Sequence, residues 1–405
     1  MIDCSLDELL AEDHPARLLW SAAGMMGLPM FEEAIVARGS GPGRAATDPR
    51  ILLTLWLYAI LDGVGSGREI DRLTHCHDAY RWIVGGVSLN YHTINDFRVA
   101  HEAALDDLFT RLLARLLKAE LVQINRVSQD GLRVRASAGS GSFRRQATLE
   151  QLQVEVQEQI EALKVQNDPS FSKRKQAKQL CDAKARQARL TDALKQLPEV
   201  QNKHDRAAKR KGKTPRPART STTDPDARVM RMPDGGTRPG YNVQLACDAQ
   251  SRAIVGVDVT HSGSDAQQSE PMRKQIQARS GEAIEEHLYD GGFVSLDGID
   301  QAAQDGVTVY APLPKQSKDP HAVKPGDSDA VAAWRMRMAQ DESKTIYKQR
   351  ASTIETINAD LREHRELRQF PVRGSPKVKC VALLFALTYN LMHFAPALLA
   401  TQNCA

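Results

Sequence analysis

Between Tyr241 and Val259 the chain commits itself to a sheet. Tyr241, Val243, Leu245 and Cys247 alternate with Asn242, Gln244 and Ala246, and Val255, Val257 and Val259 alternate with Gly256 and Asp258. Strand side chains point to opposite faces in turn, so a period of two predicts two strands, each with one buried face. The Asp248-Ala249-Gln250-Ser251 link joins them as a hairpin. An isolated hairpin is barely stable in water, so other segments must cover it.

Upstream, Asn125 to Arg135 is the first stretch rich in strand formers, and it carries Asp130 beside Gly131. Taken alone, Asp-Gly is a turn pair, and an acid inside a strand is disfavoured unless something uses it. Residues from about Leu6 to Lys118 read as helices. Asp48-Pro49 supplies an N-cap and a first-turn proline for the apolar run Ile51 to Leu61, and Ser66-Gly67-Arg68-Glu69 has capping-box spacing. Leu108, Leu112, Leu113, Leu116 and Leu117 follow the helical period. The segment His92 to Arg98 suits either the second helix of a helix-turn-helix unit or a member of a plain bundle.

After Ala138-Gly139-Ser140-Gly141-Ser142, one helical stripe runs through Leu149, Leu152, Val156, Ile160 and Leu163, and a second through Leu180, Leu190, Leu194 and Leu197. Asn167-Asp168-Pro169 turns the chain between them. An antiparallel helical hairpin follows, leaving through the tract Lys209-Arg210-Lys211-Gly212-Lys213. Charge matters here. The whole chain is +4, yet Phe171 to Thr222 holds 16 Lys and Arg against 4 Asp and Glu, a net of +12 that leaves −8 for the rest. That asymmetry points to a polyanionic partner. An aromatic content of 5% leaves little for the base-stacking platforms of single-strand binders. The six cysteines form no C-x-x-C pair, so neither a zinc cage nor a disulfide framework is suggested, which fits a reducing intracellular compartment. His75-Cys76-His77-Asp78 reads as a helix end, because consecutive residues seldom converge on one metal. The N-terminus lacks the basic and apolar stretches of a secretory signal. Cys380 to Ala400 is charge-free and long enough for a bilayer, but Asn390, His393 and Pro396 favour a buried core helix.

The remaining pattern mixes helices and strands. A helix around Gln267 to Arg279 leads to a strand, Ile284 to Tyr289, that ends at Asp290-Gly291-Gly292; a second strand spans Val307 to Ala311. A loop from Pro312 to Asp327 precedes a helical pattern from Ser328 to about Arg368. At 100° per residue, Tyr347, Arg350, Glu355 and Arg362 would share an arc of about 140° on one continuous helix. Asp226, Asp258 and Asp265 are competing acids; Asp265 reads as an N-cap and Asp258 as a solvated strand residue.

Set in order, Ser128-Gln129-Asp130-Gly131, Leu288-Tyr289-Asp290-Gly291-Gly292-Phe293, and Tyr347-x-x-Arg350 with Glu355 and Arg362 resemble the bacterial insertion-sequence transposases of the DDE superfamily. Asp224-Pro225-Asp226-Ala227-Arg228, Gly240-Tyr241-Asn242-Val243-Gln244 and Ala386-Leu387-Thr388-Tyr389-Asn390-Leu391 extend the resemblance over nearly the whole chain. There are two departures. Glu355 follows Arg350 by five residues where members often have four, and Arg362 replaces the usual lysine, which keeps the charge but changes the phosphate geometry.

The resemblance implies a mixed α/β fold: an RNase H-like catalytic core over residues 121–405, an N-terminal all-α DNA-binding domain over residues 1–120, and an inserted basic helical hairpin at 140–225. It implies a transposase that cuts and joins DNA at the ends of an insertion sequence, with two Mg²⁺ or Mn²⁺ ions held by Asp130, Asp290 and Glu355. Hard divalent ions prefer carboxylate oxygen, and phosphodiester chemistry uses a pair of them. Tyr347, Arg350 and Arg362 would face the DNA backbone, and Lys209, Arg210 and Lys211 would add affinity without reading sequence. The implied partners are double-stranded DNA, as terminal inverted repeats and target, and a second copy of the chain on that DNA; the implied location is the bacterial cytoplasm. A catalytically inactive DNA-binding relic and a metal-dependent nuclease without strand transfer are the other two readings that the residues leave open.

Overall fold

The computed structural model describes residues 5–33, 46–165, 172–314 and 321–403. It opens with helices α1 (Pro15–Met26), α2 (Pro29–Glu33), α3 (Pro49–Leu61), α4 (Gly67–Cys76), α5 (Asp78–Val84), α6 (Tyr91–Ala100) and α7 (Glu102–Lys118). The apolar run of α3 is buried from Ile51 to Ile60, and Asp48 caps it by accepting the Arg50 N–H at 2.7 Å. Ser66 caps α4, but the Glu69 carboxylate turns to Arg72 at 2.6 Å instead of closing a box. On α6 the one arginine is structural: Arg98 is buried, lies over the Trp56 ring and donates to the Gly65 carbonyl at 2.8 Å. His92 and Asp96 are its exposed polar residues.

Strand β1 (Arg126–Arg135) follows, then β2 (Phe143–Arg144), α8 (Gln146–Val165), α9 (Lys173–Arg210) and β3 (Thr220–Ser221). Next come β4 (Arg228–Arg231), β5 (Thr237–Asp248), β6 (Ile254–Thr260), α10 (Ser269–Ser280), β7 (Glu286–Leu288), α11 (Leu296–Gln304) and β8 (Thr308–Tyr310). The chain ends with α12 (Asp329–Ala339), α13 (Asp341–Ser352), α14 (Ile354–Ala359), a π turn at Asp360–His364, and α15 (Ser375–Asn403). Across the main sheet the order is β6-β5-β1-β7-β8, and β4 shares the outer edge of β5 with β6. β1 runs antiparallel to β5 and parallel to β7, which runs parallel to β8.

The Tyr241 to Val259 hairpin forms as read, but β5 is buried on both faces, its Asn242 and Gln244 included. α10 and α15 both pack against the hairpin. Gly256 permits the close approach: a Cβ there would lie 2.3 Å from the Met272 sulfur. Asp130-Gly131 is not a turn; both residues pair with β5 in the middle of β1. α15, whose Ser375–Thr401 portion is long and apolar enough to cross a membrane, is mostly buried in the core instead. Its Asn390 pins it to the sheet, donating to the Ile254 carbonyl at 2.8 Å and accepting the Ile254 N–H at 2.9 Å.

One continuous apolar core joins the N-terminal helices, the sheet and α15. A second, smaller core lies inside the α8–α9 hairpin, where Leu149, Val156 and Ile160 meet Ala183, Leu190 and Leu197. α9 then runs on past its base, and the chain returns along it: Ala218 donates to Gln201 at 2.7 Å and Thr220 to the Ala193 carbonyl at 2.9 Å. The turn assigned to Asn167-Asp168-Pro169, and residues 315–320 of the Pro312 to Asp327 loop, lie outside the described residues. The described cysteines, Cys76, Cys181, Cys247 and Cys380, are free thiols.

Candidate active site

Parallel pairing places the first two acids. Ser128 of β1 stands opposite Leu288 of β7, so Asp130 and Asp290, each two residues further on, leave that pairing at the same level. Asp290 closes a tight turn, accepting the Gly292 N–H at 2.7 Å. Both acids thus stand just past the end of the parallel β1–β7 pairing, Asp130 where β1 runs on beside β5 and Asp290 in the turn after β7.

The third acid arrives on a broken helix. Thr353, at φ −115° and ψ −95°, interrupts the run between α13 and α14, and its hydroxyl reaches the Ser128 hydroxyl on β1 at 3.1 Å. The wheel drawn for one continuous helix therefore does not apply. The break absorbs the extra residue between Arg350 and Glu355, and their side chains still meet, at 2.5 Å. The second nitrogen of Arg350 donates to Asp130 at 2.9 Å. Tyr347 sits close enough for Arg350, Asp290 and Glu355 all to act on its hydroxyl, and burial raises its pKa. Tyr347, Arg350, Asp130, Asp290 and Glu355 are thus brought together.

The electrostatics follow from that arrangement. Burial pushes the Asp130 carboxyl above its ordinary value; the Arg350 charge and the Gly131 N–H oppose the shift, and Asp290 and Asp265 reinforce it. Burial alone would lower the Arg350 guanidinium, but Asp130, Tyr347, Glu355 and Asp290 outweigh it and raise it. One cation thus serves several acids. Carboxylates that share a guanidinium are already turned toward a common positive centre, and an all-oxygen donor set suits a hard divalent ion. Among the described residues no group of three or more His, Cys, Asp or Glu is close enough together to hold a metal ion.

Other residues that the sequence singled out lie elsewhere. Arg362, on the π turn, pairs with Glu363 at 2.7 Å and opens onto a separate cavity with Arg133, Arg135, Arg238 and Arg368. Lys209, Arg210 and Lys211 are exposed at the far end of α9. Asp265 is not an N-cap, since α10 begins at Ser269; it is buried behind Gly131, where it accepts from Asn242 at 2.6 Å, Gln244 at 2.9 Å and Arg133 at 2.6 Å. Asp258 is half-buried on β6. Asp226 is not at the site: it accepts the Ser375 N–H that opens α15 at 2.8 Å and a bond from Gln196 at 2.5 Å.

One contributor was not named from the sequence, and a second was named there only in other roles. Asn358 on α14 donates to the second oxygen of Asp130 at 3.0 Å; three residues after Glu355, it lies within one helical turn of it. The Gly131-Asn242-Gln244-Asp265 cluster supports Asp130 from behind, and the facing amides of Asn242 and Gln244 at alternate positions of a buried strand were its signal.

Two family models match the chain. One, described as a transposase DDE domain, covers residues 315–395 and therefore includes Tyr347, Arg350, Glu355 and Arg362. The other, a transposase domain known as DUF772, covers residues 4–100. Asp130 and Asp290 lie outside both stretches. No curated protein and no solved structure matches the chain. A DDE domain carries divalent-metal dependence and action on DNA with it. With a transposase domain at one end and a DDE domain at the other, the chain is an insertion-sequence transposase of the DDE class, a DNA-cleaving and transesterifying enzyme.

Proposed function

We propose that this transposase cuts DNA at the ends of its own element and joins the freed 3′ ends to target DNA, using Asp130, Asp290 and Glu355 as the metal-binding acids. The observation that carries this is that Asp130 and Glu355 both pair with Arg350, while Asp290, level with Asp130 beyond the β1–β7 pairing, lies near enough for its charge to act on the same guanidinium. The strand order β6-β5-β1-β7-β8, with an antiparallel half and a parallel half meeting at β1, supports an RNase H-like core. Two Mg²⁺ or Mn²⁺ ions bound there would activate the attacking oxygen and stabilise the leaving one. The chain's own part is placement. β1 and β7 fix two carboxylates, Asn358 orients Asp130, and the Thr353 break sets Glu355 opposite them. Arg350 and Tyr347 hold the scissile phosphate once the acids are engaged, since cations and hydroxyls position phosphates without reading sequence. Two ends must be cut together, so the working form is a homodimer on DNA in the bacterial cytoplasm.

The test is cleavage and joining of a labelled duplex carrying the element's ends, with Mg²⁺ or Mn²⁺, comparing wild type with Asp290→Asn. Metal-dependent joining that the substitution abolishes supports the reading. Cleavage without joining would leave a nuclease, and binding without either reaction an inactive relic.

A further inference from the structure

A cleft of about 700 Å³ opens where the second half of α9 and its returning chain pass the outer edge of β4 and the end of β6. Arg145, Lys203, Arg216, Arg219 and Arg228 line it, and no carboxylate does. Arg145, Arg216 and Arg219 are exposed and make no salt bridge among the described residues. Lys203 pairs with Glu199 at 2.7 Å, and Arg228 is anchored on the Pro225 and Ala227 carbonyls at 2.6 and 3.1 Å. His261 on its wall is held below its ordinary pKa by burial first, then by Arg228 and Lys203, with Glu199, 3.9 Å away, and Asp226 opposing them.

We propose that this cleft is a second binding site for the backbone of duplex DNA, separate from the acids. A small anion is best held by buried, convergent donors. Here three exposed guanidiniums stand on separate stretches, Arg145 ahead of α8 and Arg216 and Arg219 on the return from α9, and spaced cations fit the repeating charge of a polyanion. The cleft also points toward the chemistry. Gly263 on its rim accepts a hydrogen bond from Arg133 at 3.3 Å, and Arg133 lines the next cavity with Arg135, Arg238, Arg362 and Arg368. Of that cavity's five arginines, Arg133 pairs with Asp265, Arg238 with Asp234, and Arg362 and Arg368 with Glu363, while exposed Arg135 makes no salt bridge among the described residues. The two cavities form a cationic track from the inserted hairpin to the segment that follows Glu355. The tract Lys209-Arg210-Lys211 does not line it. This inference rests on the proposed function in taking DNA as the substrate.

The experiment is binding of a short fluorescent duplex to the full chain across a salt series. It compares wild type with Arg216→Glu/Arg219→Glu and Arg216→Lys/Arg219→Lys, and adds a melting curve for each. The charge-reversed protein should bind at least ~10-fold more weakly at low salt, with a log–log salt slope shallower by about 2, while the lysine pair stays near wild type. Arg145→Glu, on the facing stretch, should move both quantities the same way and serves if the double variant melts early. Wild-type affinity and slope in the charge-reversed proteins would overturn the site and leave the transposase reading standing. Failure of the wild type to bind duplex at all would overturn both.

Discussion

Two sets of acids, buried Asp224 with half-buried Asp226 and half-buried Asp130 with exposed Glu355, are handled in opposite ways in this protein. Asp224 and Asp226 meet neutral donors: Asp224 accepts from the Tyr241 hydroxyl at 2.8 Å and the Gly374 N–H at 3.1 Å, and Asp226 from Ser375 and Gln196. They tie β5, the α9 hairpin and the start of α15 into one joint. Asp130 and Glu355 meet a cation, and it is the same cation for both. Neutral backbone donors are fixed parts of a fold, whereas a guanidinium on a flexible stem can leave. The first arrangement is a clamp; the second is the proposed metal site, whose acids are held on a cation that can move away.

The sharpest way to break the comparison is to remove one acid from each set. Asp130→Asn keeps the size of the side chain and its bond from Asn358, so the fold should survive. Cleavage should fall by ~10³-fold or more, because the ion's several kcal/mol of transition-state stabilisation goes with its ligand. Rates measured beside a melting curve decide this; an active Asp130→Asn would remove Asp130 from the ligand set.

Arg350 offers the next largest effect. Arg350→Gln removes the cation shared by part-buried Asp130 and exposed Glu355, which, with solvent screening part of the pair, should cost the metal-free protein roughly 1–2 kcal/mol. Mn²⁺ should then raise the melting temperature of the variant more than that of the wild type, since no guanidinium competes for the oxygens. Equal Mn²⁺ shifts in the two proteins would mean that ions do not bind where Arg350 lies. Gly131→Ala tests the support behind the site. Its new Cβ would fall 2.2 Å from an Asp265 oxygen and 2.6 Å from the Asn242 oxygen, so the buried cluster must shift, at a cost of about 1–3 kcal/mol by denaturant melts.

The legible parts of this architecture were those written in local periodicity. The β5–β6 alternation, the leucine stripes of α8 and α9 and the charge-free run of α15 each gave an element of the right type. The reading failed where tertiary packing overrides the local signal. Asp-Gly is a turn pair in isolation, but β5 on one side and β7 on the other hold β1 extended through it. Ser328 to Arg368 kept a helical pattern, yet the chain breaks at Gln340, at Thr353 and again in the π turn, and no period announces a break dictated by a hydroxyl on a distant strand. For the proposed site, motif order picked out Asp130, Asp290 and Glu355, which the fold sets around Arg350 and Tyr347. It could not show that Arg362 would open on another cavity, or that Asp226 would bind a helix start. Those placements depend on residues more than a hundred positions apart.

The smallest expected effect concerns Asp226, whose carboxyl is shifted down while burial raises its clamp partner Asp224 as it raises Asp130. Burial would raise the Asp226 carboxyl, but the Ser375 N–H and the Gln196 amide outweigh it and hold the group below the usual carboxylate range. A depressed carboxyl contributes stability above its unfolded pKa, about 3.9, and loses it as pH falls through the folded value. Asp226→Ala should therefore cost about 1 kcal/mol near neutral pH, the worth of a helix cap, and the gap to wild type should narrow only below about pH 4. Asp130 is shifted the other way, so its ionised form is the costly one and acid relieves it. Urea melts of the wild type and Asp226→Ala at neutral pH and at pH 3.5 measure the difference. A gap that stays constant down to pH 3.5 would show that Asp226 contributes through packing rather than charge, and the contrast between clamp and site would then rest on their donors alone.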